Sequence, residues 1–100
     1  MNDTLKAKLE TIVELVNKAS VDPDIEIEYC IPEVSTTADA CDVDGTPYIL
    51  IKYELSATIT KTRKINLNEG VMESSAEEIA NQVTFAIEEF KSEVEAGQIN

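Results

Sequence analysis

Apolar and polar residues alternate through the middle of the chain over an unusually long stretch. Between residues 47 and 67 the odd-numbered positions are apolar or aromatic as far as Ile59, while most even-numbered positions are polar. A period of two is typical of a β-strand with one buried face. Fully straight, the stretch would measure about 70 Å, which exceeds the size of a compact domain of this length. We therefore predict a core strand over 48–59, a bend near 60–64 and a short continuation at 65–67.

Two further segments carry apolar residues at helical spacing. Residues 3–20 have one apolar stripe, and so do residues 74–96, as in amphipathic helices that pack on a core. Ser75 lies at the start of the second stripe, and Glu78 lies three positions after Ser75, which is the pattern of an N-terminal capping box. Gly97 is suited to end this helix in a left-handed conformation. We predict one helix near each end of the chain.

The segment between the first helix and the long alternating stretch contains one more strand signal. Residues 25–31 alternate, and Pro32 ends that strand or marks a sheet edge. Residues 33–46 form a long polar loop, which we expect to be either functional or mobile. The fold class is α+β, in the order helix-strand-strand(-strand)-helix, with two helices packed on one face of a small antiparallel sheet. We treat residues 1–100 as a single domain.

The net charge adds a constraint on partners. Twenty acids stand against eight bases, which leaves a formal charge of −12 at pH 7. Such a field disfavours direct binding to nucleic acid or to an anionic membrane, and it suits a partner protein with a basic surface. The small size and charge balance are similar to those of phage-encoded acidic proteins that mimic DNA, inhibit nucleases or act against CRISPR systems. That similarity implies an inhibitor that occupies a basic nucleic-acid-binding surface, such as that of a nuclease.

Two sets of acids are candidate partner-binding residues. The first set alternates in and before the predicted first strand: Asp22, Asp24, Glu26 and Glu28. In an extended chain these carboxylates share one face about 6.6 Å apart, a spacing of the same order as that of nucleic-acid phosphates. The second set crowds the last turns of the second helix, where the helix dipole favours cations: Glu88, Glu89 and Glu93. The alternative for both sets is a solvated surface that only confers solubility.

Phe85 is the third candidate, because on a helical wheel it lies opposite the apolar stripe of the second helix. We interpret it as an anchor for a partner, ringed by charge. The alternatives are an ordinary exposed aromatic residue, or one covered by a dimer mate or by the 33–46 loop.

Past Ile59, cations interrupt the apolar face of the long stretch. We place Lys61, Arg63 and Lys64 beyond the edge of the core, as a charged edge that blocks sheet association or pairs with the protein's own acids. The alternative is a patch that docks a phosphate or an acidic partner. A polar row precedes and overlaps these cations: Ser56, Thr58, Thr60 and Thr62. This row is where another chain would add to the sheet.

The sequence offers little support for a catalytic or metal-binding site. The chain contains no histidine. Its two cysteines, Cys30 and Cys41, lie among carboxylates and are interpreted as reduced thiols, with a disulfide bridge as the alternative. The run of Asp39, Asp42, Asp44 and Gly45 fails as an EF-hand. With Gly45 at position six, the loop would begin at Ala40, where an acid is needed, and its twelfth position would be the apolar Ile51. We predict no enzymatic activity, no cofactor and no metal.

Without a signal-like or membrane-spanning segment, we expect a cytoplasmic protein. The alternative function is a dimeric structural, secretion-chaperone-like or assembly-chaperone-like protein that uses its sheet edge and apolar patches.

Overall fold

The computed structural model describes residues 3–19, 22–38, 41 and 45–97. In chain order its elements are α1 (Asp3–Ala19), β1 (Ile25–Ile31), β2 (Ser35–Thr36), β3 (Tyr48–Glu54), β4 (Thr60–Asn66), α2 (Glu69–Met72) and α3 (Ala76–Glu95). The strands form one antiparallel sheet in the order β2-β1-β3-β4. The α+β class predicted from the sequence is confirmed.

Both long helices pack on the same face of the sheet. Cross-strand register places Ile25 opposite Tyr53 and Ile27 opposite Ile51, so these alternate residues share one face. That face joins the apolar stripes of α1 and α3 in a single core, whose fully buried members include Leu9, Ile12, Val16, Ile31, Ile49, Ile51, Ile79, Val83 and Phe90. The opposite face of the sheet carries no helix among the described elements.

The long alternating stretch is a hairpin, so the predicted core strand over 48–59 is wrong. Strand β3 ends at Glu54, and the chain reverses through residues 55–59, where the Leu55 and Ser56 amides both donate to the carbonyl of Ile59. The Ser56 hydroxyl accepts from the Thr58 amide, a turn that a serine side chain stabilises without glycine or proline. The reversal therefore precedes the predicted bend.

Lys61, Arg63 and Lys64 lie within β4 rather than beyond the edge of the core. Arg63 is opposite Ile51 and Lys64 is opposite Leu50 across the hairpin. Arg63 therefore extends towards the helices, whereas Lys64 lies on the helix-free face, with its ammonium 4.2 Å from the centre of the Tyr48 ring.

The described part of the 33–46 loop is tied to the sheet. Pro32 and Glu33 form a tight turn in which the Val34 amide donates to the Ile31 carbonyl, and Glu33 has a φ of 67°. A proline followed by a residue with positive φ is the arrangement of a type II turn. The turn leads into β2, so this part of the predicted polar loop extends the sheet.

Cys30 and Cys41 form a disulfide, which overturns the interpretation of two reduced thiols. Cys30 lies on the helix-free face and is fully buried in a second, smaller cluster with Ala38 and Tyr48. The hydrogen bond from the Ala38 amide to the Tyr29 carbonyl brings the loop back over β1. Proximity of the two thiols is therefore a result of how the loop folds over the sheet.

The helix ends follow local capping chemistry. The Ser75 hydroxyl accepts from the Glu78 amide at the start of α3, and Gly97 has a φ of 75° just beyond its end, as predicted. Helix α2 was not predicted; Asn68 caps it by accepting from the Val71 amide.

Candidate functional site

The outer face of α3 is the most acidic described surface that also carries an exposed aromatic residue. Helix α3 contains six glutamates and one base, Lys91. Phe85 is 67% exposed and lies opposite the buried stripe. Glu88 and Glu89 lie one turn beyond it and are exposed, and residues three and four apart are neighbours on a helix surface. An apolar ring therefore sits beside two free carboxylates, as the sequence predicted for these three residues.

The single base of α3 is occupied by an acid from the connection between α1 and β1. Lys91 pairs with Asp22, and this hydrogen bond, helped by the Asp24 amide, lowers the pKa of the Asp22 carboxyl. The same hydrogen bond raises the pKa of Lys91. Nearby, the Tyr53 hydroxyl donates to Glu95 at 2.9 Å, which raises the pKa of the phenol. Asp22 thus neutralises Lys91 and is half-buried rather than free for a partner.

Glu93 is also used within the fold. It pairs with Arg63 of β4, and the Arg63 guanidinium lies 5.1 Å from the centre of the buried Phe90 ring. A cation over an aromatic face is attracted by the ring. The pair holds the flank of α3 against the edge of the sheet, so Glu93 serves to position α3 and its outer face.

The predicted acidic row along β1 is broken at Glu28. Glu28 is only 8% exposed, one of its carboxylate oxygens lies 3.1 Å from the Lys52 ammonium, and its other oxygen has no hydrogen-bond partner in the described chain. Pairing a buried carboxylate offsets part of its desolvation cost. Of the row, Asp24 and Glu26 remain exposed.

The two acidic sets do not form one surface. Glu26 is opposite Lys52 on the helix-free side of the sheet, whereas Glu88 and Glu89 lie on the outer side of the helix layer. The sheet and its core separate them. The structure therefore divides the eight predicted partner-binding residues into a free group on α3, exposed acids near β1, and three acids in ion pairs.

Sequence reasoning missed two apolar surface features. Leu55 and Ile59 at the hairpin tip are 44% and 48% exposed, although both were assigned to the buried face of one long strand. An apolar groove at the other end of the hairpin is formed by α1, α2 and the base of β3 and β4. The uncharged run from Leu55 to Thr60 was the available signal for the tip.

The described residues contain no group of three potential metal ligands. Asp39, Asp42 and Asp44 lie outside the described residues. None of the helices in the described ranges combines the length and apolar character needed to cross a membrane.

No protein-family model matches the chain, and no match was found among curated proteins or solved structures. The function is therefore argued from the geometry of the exposed surfaces.

Proposed function

We propose that this protein is a non-enzymatic binding protein that inhibits a partner by occupying its basic nucleic-acid-binding surface with the outer face of α3. Phe85 enters an apolar site on the partner, and Glu88 and Glu89 take positions that phosphates would otherwise fill. A nuclease or another nucleic-acid-binding protein has the required surface chemistry.

The observation that supports this proposal is the exposure of Phe85 on α3 next to two exposed glutamates that form no ion pair with the described residues. Large exposed aromatic residues surrounded by polar groups are common anchors in interfaces. Complementary charge speeds association and selects basic partners. Lys91 is already paired with Asp22, so the carboxylates beyond Phe85 keep their negative potential.

The acids that form ion pairs have a different proposed role. Asp22 pairs with Lys91 of α3, and Glu93 of α3 pairs with Arg63 of β4. In this proposal both ion pairs hold the helix in place, and neither acid contacts the partner. Asp24 and Glu26 belong to the proposed partner surface only if the partner also reaches the end of β1.

We also propose a cytoplasmic location and the absence of enzymatic activity. This location requires the bond between Cys30 and Cys41 to be reduced in the cell, because disulfides persist mainly in oxidising compartments. In a reducing cytoplasm Cys30 and Cys41 would be thiols, and the main core, which contains neither cysteine, would carry the fold.

The proposal can be tested by capture of proteins that bind DNA. Proteins eluted from DNA-cellulose are incubated with the tagged chain at low salt, after nuclease treatment to remove nucleic acid. We expect at least one of them to be retained and then released as salt is raised, because exposed charge pairs are screened. Retention of DNA-binding proteins that is unchanged between low and high salt, or no retention, would contradict the proposal.

A second candidate function, a dimeric structural or chaperone-like protein, is supported by the edge of the sheet. Strand β4 pairs only with β3 among the described strands. Because the Leu67 amide donates to the Pro47 carbonyl, hydrogen bonding to β3 alternates, and the backbone groups of Thr60, Thr62 and Lys64 point outward. An extended segment of a client could add there. Salt-independent capture of proteins that do not bind DNA would favour this function.

A further inference from the structure

The tip of the β3–β4 hairpin is an exposed apolar knob. Leu55 and Ile59 are cross-strand neighbours, joined by the hydrogen bond from the Leu55 amide to the Ile59 carbonyl at 2.9 Å. Both side chains are nearly half exposed. The run from Leu55 to Thr60 is uncharged in a chain in which 28% of residues are charged, and Lys61 follows it directly. Contact with another apolar surface would remove this exposed pair from water, which is the usual role of an exposed apolar patch.

The base of the same hairpin carries an apolar groove with two acids at its rim; the Lys8 ammonium beside them is held by the Met72 carbonyl at 2.6 Å. The groove has a volume of about 350 Å³, at the lower end of the range for ligand sites. Leu9 and Leu67 are buried in its floor, and Leu5 and Met72 are half-buried in its walls. The exposed glutamates at its rim are Glu69 and Glu73.

The knob and the groove belong to opposite ends of one rigid hairpin. The groove begins at Pro47, whose carbonyl accepts from the Leu67 amide, and the knob follows the far end of β3. Seven residues of paired strand separate them, or about 24 Å. A chain cannot fill its own groove with its own knob, so the two can meet only between copies.

We propose that the hairpin tip of one copy inserts Leu55 and Ile59 into the apolar groove of a second copy. Lys61 of the inserted hairpin then lies near the rim, where Glu69 and Glu73 provide the opposite charge. A second copy is the occupant because this chain holds both complementary halves: an apolar tip followed by a cation, and an apolar groove edged by acids. The proposal is independent of the function proposed for α3.

This contact is head-to-tail, and an open assembly keeps one free tip at one end and one free groove at the other until it closes. Such heterologous contacts generate rings or open chains rather than only dimers. Salt screens the attraction of one Lys61 to the rim and also the repulsion between copies that each carry a charge of −12. Because the repulsion involves many more charges, association should strengthen as salt is raised. Binding through α3 has the opposite expected salt dependence, which separates the two proposals.

Sedimentation velocity over a range of concentrations tests the proposal with two variants of the full chain. The tip variant, Leu55→Ser with Ile59→Thr, changes only exposed side chains and is expected to associate about a hundredfold more weakly. The rim variant, Glu69→Lys with Glu73→Lys, places cations near Lys61 and is expected to associate about tenfold more weakly. Glu10→Lys with Glu14→Lys is the control, because it changes the net charge by the same amount on the exposed side of α1.

Mixing gives the sharper result. The tip variant still offers an unaltered groove and the rim variant still offers an unaltered tip, so at concentrations where each alone is monomeric, a mixture should form a heterodimer with the affinity of the wild-type contact. Growth should stop at the dimer, because its remaining tip is polar and its remaining groove is weakened. A tip variant mixed with wild-type protein should cap chains and reduce their average size. Wild-type protein that stays monomeric at every concentration and salt would overturn the proposal. So would oligomers that persist unchanged in the tip variant, a result that would assign the contact to the β4 edge.

Discussion

Changing both Glu88 and Glu89 to lysine is expected to weaken binding of the captured basic partner by about a hundredfold. Each substitution replaces an attraction to the partner's cations with a repulsion, and the two sites lie beside Phe85 on the exposed face of α3. Reversed charge at an interface mainly slows association and makes the free energy of binding less favourable. The fold should not change, since neither side chain is buried.

The matched control for this prediction is the Glu10→Lys, Glu14→Lys variant of α1. It has the same net charge as the α3 variant and also places two lysines at exposed positions of a helix, although these are four residues apart rather than adjacent. Affinity and association rate would be measured by surface plasmon resonance at two salt concentrations. Equal weakening in both variants would mean that net charge, rather than the α3 face, controls binding.

Removal of the disulfide is expected to lower the free energy of unfolding by about 3 kcal/mol. The bond joins Cys30 and Cys41, which are 11 residues apart, and closing a loop of this length reduces the entropy of the unfolded chain. Cys41→Ser is the suitable change, because Cys41 is half-buried whereas Cys30 is fully buried. Urea denaturation monitored by circular dichroism measures the difference.

Reductant provides the control for the disulfide prediction. Wild-type protein in dithiothreitol should lose the same stability, while the Cys41→Ser variant should be insensitive to reductant. Unfolding should stay cooperative, because the main core on the helix side of the sheet does not include either cysteine. A wild-type protein with equal stability in oxidising and reducing buffer would show that the bond contributes nothing.

Alkylation of thiols in intact cells tests the cytoplasmic location, which requires both cysteines to be reduced.

The two long helices, α1 and α3, and strand β1 could be predicted because their signals are local. The apolar stripes of α1 and α3 repeat at helical spacing, and the Ser75 cap needs only residues close to it in the chain. The hairpin was harder, because its turn at Ser56–Thr58 uses a serine hydroxyl in place of a turn dipeptide. Apolar and polar residues continue to alternate through the turn. Alternation alone therefore does not distinguish one strand of twelve residues from two strands of seven.

The candidate site was predicted in part for a similar reason. Exposure of Phe85 and of its neighbouring glutamates follows from the helical wheel and needs no tertiary information. The fate of Glu28 depends on Lys52 of β3, its neighbour on the sheet, and the pairing of Glu93 depends on Arg63 of β4. These partners are 24 and 30 residues away in the chain. The disulfide likewise depends on the path of a loop that has no periodic pattern.

The most direct test of nucleic-acid mimicry is a competition between this protein and DNA for the captured partner. Labelled duplex DNA is bound to the partner, the protein is titrated in, and DNA release is followed by fluorescence anisotropy. We expect full displacement by wild-type protein, and displacement by the Glu88→Lys, Glu89→Lys variant only at about a hundredfold higher concentration. A ternary complex in which the partner holds DNA and this protein together would contradict the proposal.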